Sequence, residues 1–271
     1  MSGSVTVPPD VLVSQTDAIA TVTLNRPHRK NAVNAGMWRS LAAAFTRLGE
    51  DPEVRVVVLT GAGGDFCAGA DLSGSPGEAH PLEAMRQVNR VATLLHEMPK
   101  PTVAKVSGVA VGAGWNMALA CDLVIAATDA RFCQIFAKRG LSLDFGGSWL
   151  LPRLAGMQRA ARLALLAEFV SGREAYDLGL AAWAVEPGEL DAFAGHIAAK
   201  LAAGPPVALA RTKALLHAGS SSTMSQALEA EAVSQVANFA YADTAAAFEA
   251  FASRTEPVFT GRWSREPAKS S

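Results

Sequence analysis

Cysteine is scarce in this chain. Cys67, Cys121 and Cys133 are the only three among 271 residues, too few and too unevenly spaced for a disulfide framework or a zinc site, and their odd number suits a reducing compartment. Charge of one sign is lacking too. With 24 basic and 25 acidic residues the formal net charge is −1, so no global field draws the chain to nucleic acid or to an anionic membrane, and an anionic ligand must be held by a local cluster. Long apolar runs are absent: Ala118 to Ala127 is broken by Asp122 and is far too short to cross a bilayer. The opening MSGSVTVPPD has neither the basic start nor the apolar stretch of a signal peptide. His28, His80, His96, His196 and His217 show no metal-ligand spacing, so no metal is expected. What remains is a chain that is 50% hydrophobic and 18% charged, able to bury a substantial core and expected in the cytoplasm.

Val11 to Gln15 and Ile19 to Leu24 alternate around a polar turn and predict a hairpin. A basic loop, NRPHRKNAVN, follows, and its Asn34 is placed to cap a helix whose stripe is Met37, Leu41, Phe45 and Leu48, ending near Gly49. Val56 to Thr60 is β-branched without polar alternation, the pattern of a strand covered on both faces. After the loop GAGGDFCAGADLSG, a second helix carries Val88, Val91, Leu95 and Met98 on one face and is stopped by Pro99 and Pro101. Thr102 to Val106, Leu123 to Ala127 and Arg131 to Ile135 read as further strands. Strand, loop and helix thus recur through two thirds of the chain, which implies right-handed crossovers in an α/β core. From Leu151 onward nearly everything is Ala- and Leu-rich at helical spacing, so the last third is expected to be helical.

Two glycine-rich loops, each after a buried strand, carry the chemistry. The first is DFCAGAD, Asp65 to Asp71. The second, SGVAVGAGWNMALACD, runs straight into a short apolar helix. Small residues let a ligand approach the main chain, and two backbone N–H groups converging from separate loops make an oxyanion hole for enolate or acyl chemistry. Each loop alone is equally well a tight turn. A dinucleotide site is a further alternative, although Gly61-Ala62-Gly63 and Gly112-Ala113-Gly114 both lack the third glycine of that fingerprint.

In this order, with KPTVAKVSGVAVGAGWNMALACDLVIAATDARF, GLSLDFGGSWLLPRLAG and the closing FASRTEPVFTGR, the chain resembles the crotonase, or enoyl-CoA hydratase/isomerase, superfamily over nearly its whole length. The resemblance implies an α/β fold, a crotonase-like spiral of ββα repeats over residues 1–200, with a helical trimerisation region over 201–271. It also implies a homo-oligomer, a trimer or a dimer of trimers, and an acyl-CoA thioester substrate in which coenzyme A is the only cofactor-like group. Carried onto this sequence, the oxyanion amides fall at Ala68 and Ala113, with Gly69, Ala70 and Asp71 lining the substrate. Arg29, in the cluster with Arg26, His28 and Lys30, is placed to meet coenzyme A phosphates, a solvated loop being the alternative. Phe259 and Arg262 resemble the terminal segment that reaches the nucleotide.

The departures from the family pattern narrow the chemistry. Hydratases of the family use two glutamates, at the positions of Asn116 and Phe136 here. Hydration needs one group to activate water and another to supply the α-proton, and neither an amide nor an aromatic ring does either. Asn116 could still bond a water or a polar substrate, and Phe136 is a candidate wall. Asp144, in GLSLDFGGSW, sits where the double-bond isomerases of the family carry an aspartate. Shifting a double bond needs one base, and apolar neighbours would raise its pKa. The alternative role for Asp144 is a helix N-cap. Cys67 reads as a packing residue, and Trp115 and Trp149 as core or pocket wall. The expected activity is therefore enoyl-CoA isomerisation. The competing readings are a hydratase or lyase with an atypical site and an acyl-CoA-binding homologue without catalysis.

Overall fold

The opening hairpin forms as its alternation predicts. In the computed structural model, which describes residues 9–73 and 80–264 and so leaves most of the MSGSVTVPPD segment outside, β1 (Val11–Thr16) pairs antiparallel with β2 (Ile19–Leu24). Ala20, Val22 and Leu24 turn inward, and the turn residue Asp17 takes φ +51°. Helix α1 (Ala35–Glu50) starts where Asn34 Oδ1 accepts the Met37 N–H at 2.8 Å, and it buries the expected stripe together with Trp38. The apolar run becomes β3 (Val56–Gly61), covered on both faces. Helix α2 (Pro81–His96) buries Val88, Val91 and Leu95 but ends before Met98, which is buried from the connecting turn. The two prolines that follow push the backbone out of the helical region early.

Then come β4 (Thr102–Val106), β5 (Val109–Val111), α3 (Ala113–Leu119), β6 (Leu123–Ala127) and β7 (Arg131–Cys133). The expected extension of β7 to Ile135 does not occur, because Ile135 opens a 3-10 turn that runs to Arg139. Helices α4 (Gly147–Ala155) and α5 (Met157–Leu166) follow. The expectation of a purely helical last third is corrected at two places. β8 (Phe169–Ser171) and β9 (Trp183–Val185), separated by α6 (Gly172–Asp177), add an edge strand to each sheet. Three residues are too few to show a period of two, and the Ala-rich segments around them mask the change. Helices α7 (Leu190–Ala202), α8 (Pro206–Gly219), α9 (Met224–Phe239) and α10 (Ala242–Ser253) complete the chain.

The large sheet has the order β1-β2-β3-β4-β6-β9 and is parallel from β2 onward. The small sheet, β5-β7-β8, is prolonged by single bridges of Cys67 with Ala110 and of Val33 with Ala70. Each turn of the chain therefore lays one strand in the large sheet, one short segment in the small layer and then a helix: β3, Cys67 and α2, then β4, β5 and α3. This is the ββα repetition that the family resemblance implies. Its consequence is positional. Equivalent points of successive turns become neighbours, so residues 67–71 lie beside residues 109–113.

Candidate active site

Hydrogen bonds clamp the first glycine loop from both sides. Cys67 N–H donates to Val109 O and Val111 N–H to Cys67 O, both at 2.9 Å, while Val33 N–H donates to Gly69 O at 2.8 Å and Asp71 N–H to Val33 O at 3.0 Å. Between them Gly69 takes φ +95°, and a Cβ there would sit 2.8 Å from Val111 O and 3.7 Å from Ala113 N. Only glycine makes that turn so close to the second loop, and the contact brings the Ala113 amide beside the first loop.

The backbone hydrogen bonds correct one assignment. Ala68, expected as the first oxyanion donor, has its N–H committed to Lys30 O at 2.9 Å. The bridge with Val33 uses Gly69 O and Asp71 N, so by strand alternation the Ala70 N–H points the other way. Neither Ala70 N nor Ala113 N has a hydrogen-bond acceptor among the described residues. Both residues line one cavity of about 460 Å³ with Gly69, Asp71, Phe136 and Asp144. The two amides without an acceptor that share this cavity are therefore those of Ala70 and Ala113. The signal available in the sequence was the glycine itself: the residue that follows a left-handed turn is the one whose N–H is redirected.

Asp144 and Asp71 are the carboxylates that line this cavity among the described residues, and Asp144 is the desolvated one. Its Oδ1 is buried without a hydrogen-bond partner among the described residues, and burial pushes the carboxyl up to about 6. The N-cap alternative fails: α4 is capped at Gly146 with no side-chain bond, and Asp144 gives only its backbone O, which accepts the Gly147 N–H at 2.9 Å. Phe145 and Gly146 are both left-handed, with φ +48° and +79°. For Phe145 this conformation costs about 1–2 kcal/mol. Its buried ring, 5.8 Å from that of Trp38 in α1, holds it there.

A raised folded pKa for an acid means that the folded protein binds the proton more tightly than the unfolded chain. Stability from this group is therefore present at low pH and is lost as pH rises from the ordinary value of 3.8 through about 6. Asp144→Asn removes the buried charge and is expected to raise the melting temperature at pH 7.5 but not at pH 4, with a gain of up to about 3 kcal/mol. Thermal unfolding at the two pH values measures it, and equal shifts at both would contradict a desolvated carboxylate.

The other expected site residues divide. Asp71 lines the cavity, but its carboxylate is held by the Ser73 hydroxyl at 2.6 Å, the Ser73 N–H at 3.0 Å and Arg26 at 2.8 Å, well below the usual carboxylate range, so it takes no proton near neutrality. Phe136 is an apolar wall, joined by Ile135, Leu141 and Phe169, which the sequence did not single out. Arg29 stands exposed at the cavity, whereas Arg26 and Lys30 are paired with Asp71 and Asp65. Asn116 does not face the cavity: it is wholly buried, and its amide bonds Asp144 O and Gln134. Phe259 and Arg262 are not brought to the cavity within one chain, because their segment is fastened to Asp243 in α10 through the Thr260 and Gly261 N–H groups. Cys67 is fully buried, its thiol pushed up to about 12, and packs as expected. Trp115 is core, and Trp149 lies in a separate groove against His96. Among the described residues no group of three or more His, Cys, Asp or Glu side chains could hold a metal, and no helix is long and apolar enough to cross a membrane.

Known proteins carry the same arrangement of sequence and fold. Residues 14–262 match the family model described as enoyl-CoA hydratase/isomerase. A protein of Rhodobacter capsulatus named probable enoyl-CoA hydratase is 40% identical, over 91% of this chain and 96% of its own length. The 1,2-epoxyphenylacetyl-CoA isomerase of Escherichia coli is 37% identical over 90% of this chain and 95% of its own. The crystal structure of an enoyl-CoA hydratase from Bacillus anthracis superposes with a TM-score of 0.90 at 29% identity, covering 94% of this chain and all of that one.

Proposed function

The chain belongs to the enoyl-CoA hydratase/isomerase family, with the crotonase fold, and on that premise we propose that it is an enoyl-CoA isomerase with Asp144 as its proton shuttle. One observation carries the reading: of the two carboxylates that line the cavity among the described residues, only Asp144 has a pKa near neutrality, at about 6. Asp144 removes a proton from the α-carbon of a β,γ-unsaturated thioester. The electron pair of that C–H bond enters the conjugated system, and the charge gathers on the thioester oxygen. The N–H groups of Ala70 and Ala113 hold that oxygen. They are worth most where charge develops in a dry site. The protonated Asp144 then returns its proton to the γ-carbon, the double bond moves into conjugation, and the carboxylate is regenerated. Nothing is consumed, so one acid/base group suffices.

The walls of Phe136, Phe169, Ile135 and Leu141 suit an apolar acyl group, and they can accept a ring. The likeness to an epoxyphenylacetyl-CoA isomerase supports the same choice, since moving bonds about a ring is also isomerisation. Arg29, beside the cavity, suits the phosphates of coenzyme A, which enters as part of the substrate with no separate cofactor. The helices α9 and α10 leave Val236, Phe239, Phe248 and Phe251 exposed, which fits burial against further copies in a trimer or a dimer of trimers. In that assembly Phe259 and Arg262 would serve a neighbouring site. A cytoplasmic location fits the three free thiols.

The product tests the reading. With a 3-enoyl-CoA the protein is expected to form the 2-enoyl thioester, and with crotonyl-CoA to form no 3-hydroxy product. Rapid hydration of crotonyl-CoA would require a second acid/base group and would overturn it.

A further inference from the structure

We infer that Asn116 is a positioning residue that aims Asp144 by holding its backbone, with Gln134 fixing the direction of the Asn116 amide. The inference rests on the isomerase reading of the same cavity. Asn116 lies in the first turn of α3, is 0% exposed and lines no part of the cavity, so it acts on the substrate only through another residue. Its Nδ2 donates to Asp144 O at 2.9 Å. Its Oδ1 accepts from Nε2 of Gln134, itself 0% exposed, at 2.8 Å. Because that donor occupies the oxygen, the amide can present only N–H to Asp144. The chain of bonds runs one way, from Gln134 through Asn116 to the loop.

The loop needs such a hold. Asp144 precedes two consecutive left-handed residues, outside any helix or strand, and its buried Oδ1 has no partner among the described residues that could orient the carboxyl directly. A base that must reach two carbons in turn keeps its aim only if its backbone is fixed. Asn116 and the Gly147 N–H supply the two bonds to Asp144 O, and the ring of Phe145 supplies the packing. The fit allows little else at position 116. A Cβ on Gly147 would collide with the Asn116 amide, within 2.8 Å of its Oδ1, so there is no room for a longer side chain. A carboxylate of the same size would set an oxygen against Asp144 O. The asparagine that replaces an acid/base group of the family's hydratases thus has a task of its own, supporting the proposed acid/base group Asp144.

A double-mutant cycle tests this with the full chain and a 3-enoyl-CoA. Asn116→Ala is expected to lower kcat on the order of 100-fold, the effect of a misplaced reacting group, with KM within twofold of the parent. In the Asp144→Asn background the same change is expected to lower the residual rate by less than twofold, because its effect passes only through the carboxylate. Gly147→Ala, which pushes on the amide from the other side, is expected to repeat the pattern and decides the matter if Asn116→Ala fails to fold. Folded variants that keep kcat within threefold overturn the inference, as do equal proportional losses in both backgrounds, which mark a merely structural role. Full activity of Asp144→Asn alone would remove the isomerase reading first, and this inference with it.

Discussion

Replacing Asp144 by Asn is expected to lower the isomerisation rate by about 10³-fold while leaving the dissociation constant for a saturated acyl-CoA unchanged within a factor of two. A positioned acid/base group contributes roughly 10²- to 10⁴-fold, and in the proposed mechanism one group performs both transfers. Asparagine keeps the size of the side chain and loses the proton. The Ala70 and Ala113 amides and the apolar walls, which are proposed to bind the thioester, are untouched. With the carboxyl at about 6, roughly 90% of it is ionised at pH 7, so kcat/KM of the parent should rise with pH and level off just above that value. Single-turnover rates and isothermal titration separate the two quantities. A variant that turns over at the parental rate would remove Asp144 from the mechanism. The same substitution is expected to stabilise the protein at pH 7.5, so loss of activity and gain of stability should appear together.

The second large effect concerns a single N–H. Exchanging the peptide linkage at position 70 for an ester, by incorporating lactic acid in place of Ala70, is expected to lower kcat by about 10²- to 10³-fold, the range for loss of one oxyanion-hole donor. The same exchange at Ala68 is expected to leave kcat within threefold and to destabilise the fold by about 1 kcal/mol, since it breaks the bond to Lys30 O. The pair isolates the donor from the side chain, because both positions are alanine and both line the cavity. A loss of kcat at 68 and not at 70 would reverse the assignment.

What was legible in the chain follows from the range of the forces involved. Apolar patterning is local, so the hairpin, the buried strands β3, β4 and β6 and the stripe of α1 could be read directly, as could the cap at Asn34. The convergence of two glycine loops was legible because both follow buried strands and one opens a helix. The raised pKa of Asp144 was foreseeable from Leu143 and Phe145, although Trp149 turns away and plays no part. What could not be read depended on pairing across the fold. Whether Ala68 or Ala70 keeps a free amide is decided by Lys30 and Val33, more than thirty residues earlier. That Asn116 points at a backbone instead of a ligand is decided by Gln134 and by the left-handed turn after Asp144. β8 and β9 are held by partners more than thirty residues away in sequence, and their three residues carry no period of their own.

The most direct measurement follows a 3-enoyl-CoA and crotonyl-CoA together in one NMR tube, each with its own resolved olefinic signals. The proposed isomerase mechanism predicts that the 3-enoyl signals convert to those of the conjugated thioester, while the crotonyl signals persist and no 3-hydroxyacyl resonance grows. Rapid appearance of the 3-hydroxy product, with the 3-enoyl signals unchanged, would contradict it.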